Sequence, residues 1–219
     1  MTEHYFSNSS AASTDDLKDV TVTIKGLTLP MKTADRVFSY GRLDTGTKVL
    51  LTEVEPRTHG RFLDLGCGWG PISVVLAHLR PEADVWAVDI NSRALDLTKR
   101  NAHALACRNV RVFEADVALE HALKEGITFD EIWSNPPIRI GKKALRQMLT
   151  AWLALLAPDG VAWLVVARNL GADSLITWAK ENGWDARKEH SKKGYRIISI
   201  RRTASSHTSE SERPVASIH

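Results

Sequence analysis

The stretch RFLDLGCGWGPISVVLAHL, Arg61 to Leu79, decides the fold. RFLDL reads as a short buried strand and Pro71 to Leu79 as a helix, and between them Gly66, Gly68 and Gly70 stand at alternate positions. Glycines so spaced admit a turn with positive φ and let a ligand lie against bare backbone. Asp64, at the strand end, can accept from an ammonium or a hydroxyl. The dinucleotide fingerprint GxGxxG carries its last glycine one place later, so GxGxG after an acid favours an adenosine-type ligand with no pyrophosphate to cradle.

Strands and helices keep alternating outward from this point. Asp84 to Val88, Val110 to Phe113, Phe129 to Trp133 and Gly160 to Ala167 read as strands; Ser92 to Leu105, Lys142 to Leu156 and Ala172 to Glu181 read as helices. Trp184 to Glu189 and Tyr195 to Arg201 close the chain as strands joined by a short SKKG turn, a hairpin that makes one of them antiparallel. The pattern implies an α/β fold, a doubly wound, mainly parallel, seven-stranded Rossmann-like sheet with helices on both faces and an antiparallel C-terminal hairpin strand. Upstream, Val20 to Lys25 and Leu27 to Met31 read as a small hairpin turning at Gly26, a cover at the entrance of the domain. The expected organisation is an N-terminal extension over residues 1–45, a main domain over 46–202 and a polar, disordered tail over 203–219. Ser7 to Thr14 is a further polar, serine-rich segment.

With 219 residues, 43% hydrophobic and 25% charged, the chain fits one globular domain with an ample core. Cys67 and Cys107 lie far apart without ligand spacing, which argues against a disulfide framework or a structural zinc and for a reducing cytoplasm. No apolar run approaches a membrane span, and MTEHYFSNSS lacks the basic and then apolar pattern of a secretory signal. A net charge of +3 with pI near 8.9 is compatible with a nucleic-acid partner.

Two more acids follow successive strands. Asp89 ends DVWAVD about 20 residues after the glycine turn, where a carboxylate reaches ribose hydroxyls. Asp116 follows VRVFEAD, where it could accept from the exocyclic amine of adenine. The fourth strand runs into SNPPIRIG, Ser134 to Gly141; its two prolines cannot continue a strand or a helix and make a stiff loop. Pro136 also biases Asn135 toward extended backbone, aiming its side chain from the strand end into the cleft.

DLGCGWG, the Asp89 acid, EADV and FDEIWSNPPIRIGK together resemble the class I S-adenosylmethionine-dependent methyltransferases, and more closely the methyltransferase small domain family, which includes 16S ribosomal RNA guanine-N2 methyltransferases. The likeness extends to HYFS at His4 to Ser7, to VFSYGRLDTGTKVLL at Val37 to Leu51 and to KKGYRIISI at Lys192 to Ile200. It implies transfer of a methyl group from S-adenosylmethionine to an exocyclic amine of a nucleobase, most readily guanine N2 in 16S ribosomal RNA. Adenine N6 and a protein glutamine amide present a similar planar NH₂. A module that keeps the cofactor fold without turnover and a nicotinamide-binding oxidoreductase are the readings from other classes; the GxGxG spacing and an intact Asn135 argue against both.

The resemblance also implies residue roles. Asn135, Pro136 and Pro137 form the catalytic loop: the Asn135 side-chain oxygen and the Pro136 carbonyl accept from the target NH₂, and the prolines hold them rigid. Asp64, Gly66, Cys67, Gly68, Gly70, Asp89, Ile90, Asp116, Val117, Asn135, Phe38 and Thr47 form the cofactor set. Many such loops carry an aromatic residue after the prolines to stack on the target base. Here Ile138 stands in that place, and Phe38 and Tyr40 are the rings that could replace it; the resemblance places the Phe38 segment, with Asp44 and Thr47, against the cofactor and substrate. With Phe38 and Ile138, Arg139, Lys142 and Lys143 complete the substrate set; Arg146, Lys188, Lys192, Lys193 and Arg196 extend the basic character. His59, His78, His103, His121 and His190 show no paired spacing, so no metal is expected, and Trp69 serves either the core or the cofactor. The expected partner is ribosomal RNA or the small ribosomal subunit, with no membrane involved. The oligomeric state stays open, a monomer included.

Overall fold

The computed structural model describes residues 16–203. The HYFS segment, the serine-rich segment to Thr14 and the tail beyond Thr203 lie outside them. The elements run β1 (Leu17–Ile24), β2 (Leu27–Ala34), α1 (Thr45–Glu53), β3 (Arg61–Leu65), α2 (Pro71–Leu79), β4 (Asp84–Asp89), α3 (Ser92–Ala104), β5 (Val110–Glu114), α4 (Ala115–Lys124), β6 (Phe129–Ser134), α5 (Lys142–Leu153), β7 (Leu156–Ala167), α6 (Ala172–Glu181), β8 (Trp184–Lys192) and β9 (Tyr195–Arg202).

The main sheet has seven strands in the order β5-β4-β3-β6-β7-β9-β8. β3 to β7 are parallel, and β9 runs antiparallel to both β7 and β8. Period-two alternation sorts the side chains into two cores. Phe62, Val85, Trp133, Val165 and Ile197 belong to the core built with α1, α2 and α3. Their neighbours Leu63, Trp86, Ile132, Leu164 and Ile198 belong to the core built with α4, α5 and α6. β3 pairs with β4 on one side and β6 on the other, so the winding direction reverses between β3 and β6. Ligand sites of doubly wound sheets open at the carboxyl ends of strands at such a reversal.

The β1–β2 hairpin is not a detached extension. Val20, Val22, Ile24, Leu29 and Met31 sit in the same core cluster as α1 and α2. Arg93 of α3 pairs with Asp16 at 2.9 Å and Asp35 at 2.6 Å, at the two ends of the hairpin. Asn101 of α3 accepts from the Lys32 N–H at 2.7 Å and donates to the Lys32 carbonyl and the Trp69 carbonyl, each at 2.8 Å. One buried amide thus ties the hairpin to the glycine turn. Both hairpins turn through Lys-Gly pairs with positive φ at each residue, Lys25-Gly26 and Lys193-Gly194, the twist that two-residue connections require.

The main differences from the sequence reading are two further helices and the junction between α5 and β7. α1 and α4 are helices that it did not assign. α4 begins directly after β5 with no turn residue between them, so Asp116 belongs to a first helical turn. α5 stops at Leu153 and β7 begins at Leu156, ahead of the expected start at Gly160. A bulge opposite Phe129 to Glu131 absorbs the Pro158 to Gly160 segment, where a Cβ on Gly160 would come within 2.9 Å of the Phe129 carbonyl. Among the described residues no helix is long and apolar enough to cross a membrane, and no group of His, Cys, Asp and Glu could hold a metal ion.

Asn101→Ala is expected to strand one buried and two part-buried backbone groups and cost about 3 kcal/mol, against roughly 1–3 kcal/mol for a fully buried group left unpaired. Urea denaturation at unchanged m-value measures it; a loss below about 1 kcal/mol contradicts the bracing role.

Candidate active site

The turn after β3 is built almost entirely from backbone. Gly66, Gly68 and Gly70 take φ of +78°, +58° and +89°, and most of the backbone groups between them have partners. Gly66 N–H and Cys67 N–H both donate to the Val88 carbonyl at 2.9 Å, and Gly68 N–H donates to Asp89 Oδ2 at 2.9 Å. On the far side, Thr98 Oγ1 donates to the Gly68 carbonyl at 2.9 Å. A Cβ built on Gly66 or Gly68 meets nothing within 4 Å, so both glycines border open space; one on Gly70 would press on Thr98 at 3.0 Å. Gly70 is therefore required by packing as well as by its backbone, while Gly66 and Gly68 leave room for a ligand. Pro71 then starts α2 at a position where its missing N–H costs nothing.

Asp64 is fully buried beneath this turn. Its Oδ2 accepts from Ser73 N–H at 2.9 Å and Ser73 Oγ at 2.5 Å, while Oδ1 has no hydrogen-bond partner among the described residues. Burial pushes its carboxyl up to about 7, the Ser73 bonds oppose the shift, and the negative charge of Asp89 adds to it. Asp89 is raised as well, again chiefly by burial, although Gly68 N–H and Asn91 N–H donate to it. Burial likewise holds the Cys67 thiol far above its ordinary value, so Cys67 is a space-filler and not a nucleophile. A site with a buried, half-satisfied carboxyl beside a bare glycine turn suits a ligand that brings positive charge.

The second half of the site comes from the end of β6. Ser134 Oγ donates to the Leu65 carbonyl at 2.7 Å, stitching the end of β6 to the end of β3. Asn135 Nδ2 then donates to Asp44 Oδ2 at 2.7 Å and to Thr47 Oγ1 at 3.0 Å. A carboxylate only accepts, so the NH₂ group must face Asp44 and the Asn135 oxygen is left as the free acceptor. Pro137, at φ −74° and ψ 76°, is the centre of an inverse γ-turn in which Ile138 N–H donates to the Pro136 carbonyl at 2.8 Å. The turn therefore uses one lone pair of that carbonyl and leaves the other. Phe38, Thr47, Gly66, Cys67, Gly68 and Asn135 line one cleft, joined by Trp69, Pro71 and Ile72.

The remaining expected residues lie around it. Ile90, directly after β4, and Val117, in the first turn of α4, are large apolar side chains in solvent, 54% and 56% exposed. Asp116 sits exposed in the first turn of α4, where an acid also favours the helix dipole. Trp69 is 1% exposed and belongs to the core. Ile138 packs, half-buried, against the second core and does not line the cleft. Arg139, Lys142 and Lys143 are exposed directly after the loop. Three cations of the wider basic set have internal tasks: Arg196 pairs with Asp173, Lys192 with Glu53, and Arg146 lies over the Trp178 ring. Pro71 and Ile72 are the positions the sequence reading left out of the site. Asp44, which the resemblance places with Thr47 against the cofactor and substrate, is the N-cap of α1.

Asp64 binds its proton more tightly in the fold than in the unfolded chain. Its contribution is complete below about pH 4 and is lost as pH rises through about 7. Ligand-free protein should lose stability between about pH 4 and 7, and Asp64→Asn should flatten part of that fall. Denaturant titrations at both pH values measure it, and identical slopes in the two proteins contradict it.

Residues 28–199 match the model of the methyltransferase small domain family. The chain is 30% identical over 203 residues to the uncharacterized protein YbxB of Bacillus subtilis, covering 92% of this chain and 100% of that one. It is 39% identical over 148 residues to ribosomal RNA small subunit methyltransferase C of Hahella chejuensis, covering 65% of this chain and spanning 42% of that enzyme. The solved T. thermophilus 16S rRNA N2 G1207 methyltransferase (RsmC), in complex with AdoMet and guanosine, superposes with a TM-score of 0.67 at 21% identity over 85% of this chain and 51% of that one. The chain belongs to the methyltransferase small domain family and is a methyltransferase.

Proposed function

We propose that the chain methylates an exocyclic amine of a nucleobase, guanine N2 in 16S ribosomal RNA, with the small ribosomal subunit or its RNA as partner in the cytoplasm. The observation that carries this reading is the Asn135 oxygen, held free as an acceptor in a cleft that also contains the glycine turn. S-adenosylmethionine supplies a sulfonium methyl group. In this reading Asp89 would accept from the ribose hydroxyls, the exposed Ile90 and Val117 would offer apolar surfaces to an adenine, and Gly66 and Gly68, which border open space, would leave backbone beneath it.

A guanine or adenine NH₂ is a poor nucleophile because its lone pair is conjugated into the ring. Asn135 Oδ1 and the remaining lone pair of the Pro136 carbonyl can each accept one N–H, favouring a tetrahedral nitrogen and stabilising the positive charge that develops on it. The nitrogen lone pair would form the new N–C bond as the S–CH₃ bond of the sulfonium breaks and its electron pair stays on the departing sulfur, and one amine proton would then leave to water. The stiff loop supplies alignment, the larger part of the task for a displacement in line. With Ile138 turned to the core and Trp69 buried, Phe38 is the exposed ring lining the cleft, at 61% exposure. Tyr40 is engaged elsewhere, under the Lys18 ammonium at 5.4 Å. Arg139, Lys142 and Lys143 after β6, with Arg168 and Lys193 at the ends of β7 and its hairpin, put exposed cations along the carboxyl-end rim, as a phosphate backbone requires. The named ribosomal RNA methyltransferase relatives add weight to RNA as the substrate.

With purified 30S subunits, naked ribosomal RNA, DNA and a glutamine-containing protein as acceptors, labelled methyl should enter RNA as N2-methylguanosine. Asn135→Ala should lower the rate at least about 100-fold with cofactor affinity kept, whereas Asp89→Ala should abolish cofactor binding in calorimetry. Label on adenine or on protein alone contradicts the substrate. Phe38→Ala should lower kcat/KM by roughly 10- to 100-fold, the worth of one stacked base at about 1–3 kcal/mol, with Phe38→Tyr close to wild type. An unchanged kcat/KM in Phe38→Ala removes the stacking role.

A further inference from the structure

Asn135 can serve as an acceptor only if its carboxamide is held one way round. An amide flip exchanges O and N with little change in shape, so β6 alone does not decide which atom faces the cleft. The deciding group lies on a different element. Asp44 is the N-cap of α1, and its single oxygen Oδ2 accepts from Thr47 N–H at 2.9 Å and from Asn135 Nδ2 at 2.7 Å. Thr47, 3% exposed, adds its hydroxyl as a second acceptor for the same NH₂ group at 3.0 Å.

The seat is tightly packed from behind. A Cβ at Gly46 would come within 2.7 Å of the Tyr195 ring and 2.9 Å of Asp44 Oδ2, so α1 can approach β9 this closely only with glycine there. The Tyr195 hydroxyl is raised above its ordinary value by burial and by the Asp44 charge, which places the phenol next to the carboxylate in its neutral form. A flipped Asn135 would set its oxygen against the Asp44 carboxylate and present an NH₂ to the substrate NH₂, a repulsive contact on both sides.

We infer that Asp44 is a positioning residue: by capping α1 and binding Asn135 Nδ2 through one carboxylate oxygen, it fixes the Asn135 carboxamide with its oxygen toward the target amine. This rests on Asn135 being the acceptor of the amine proposed above. Seating of α1 and assembly of the catalytic loop then become a single event, and the segment before the glycine strand carries part of the catalytic geometry. The same carboxylate polarises the carboxamide and makes its oxygen a stronger acceptor.

Three variants separate this role from helix capping and from charge. Asp44→Ser keeps an N-cap oxygen but is too short to reach Asn135; Asp44→Asn keeps the accepting oxygen and loses the charge; Asp44→Ala loses both. With the RNA substrate, kcat should fall on the order of 100-fold in Asp44→Ser and Asp44→Ala while cofactor affinity holds. It should recover to within about tenfold of wild type in Asp44→Asn. The melting temperature should fall only in Asp44→Ala. Independently of activity, ¹⁵N-asparagine labelling should show the Asn135 side-chain NH₂ protected from solvent exchange in wild type and Asp44→Asn, and unprotected in Asp44→Ser. Wild-type kcat with a protected NH₂ in Asp44→Ser would reduce Asp44 to a cap. An Asp44→Asn as slow as Asp44→Ser would make charge the cause; either result overturns the inference. If wild type methylates none of the nucleic acids, the reaction reading falls, and the NMR comparison still decides the orientation.

Discussion

The pairing of β3 with β6 is the constraint on which the site depends. The two strands are far apart in sequence, yet they are neighbours in the sheet because the winding reverses between them. That single adjacency puts the glycine turn and the Asn-Pro-Pro loop side by side, and the Ser134 hydroxyl on the Leu65 carbonyl at 2.7 Å closes the seam. A cofactor loop and a catalytic loop built on neighbouring parallel strands inherit the rigidity of the sheet and leave little for flexible segments to align.

Around that seam the molecule divides its tasks between faces. α3 braces the cofactor side, with Thr98 on the Gly68 carbonyl, Asn101 on the Trp69 carbonyl and Arg93 gripping both ends of the hairpin. α1 completes the catalytic side through Asp44 and Thr47. The β1–β2 hairpin thus contributes to the site at one remove: it holds the helix that holds the glycine turn. The buried Asp64 works against the ligand-free fold once ionised, and a positively charged ligand would relieve the strain. This is a common arrangement at sites that give up stability for function.

Much of this was legible in the sequence because its signals are local. Apolar strands, the GxGxG turn and the SKKG hairpin each carry their own backbone chemistry, and from them the seven strands could be read. The failures share a cause. α4 follows β5 with no turn residue, so the chain changes period without punctuation, and Asp116 read only as an acid following a strand. The start of β7 is hidden by a bulge that Pro158 and Gly160 disguise as a turn. Ile138 follows the prolines where a stacking ring was sought, but the inverse γ-turn at Pro137 directs the next residues toward the core, a backbone effect no residue type announces. The Asp44 to Asn135 bond joins residues 91 positions apart, and only the fold brings them together.

A structure with S-adenosylhomocysteine and guanosine bound tests the central claim most directly. The guanine N2 amine should lie within hydrogen-bond distance of Asn135 Oδ1, about 3 Å, with Asn135 Nδ2 still on Asp44 and the base against the Phe38 ring. An Asn135 amide turned the other way, or an amine held by groups other than Asn135 and the Pro136 carbonyl, would contradict the account.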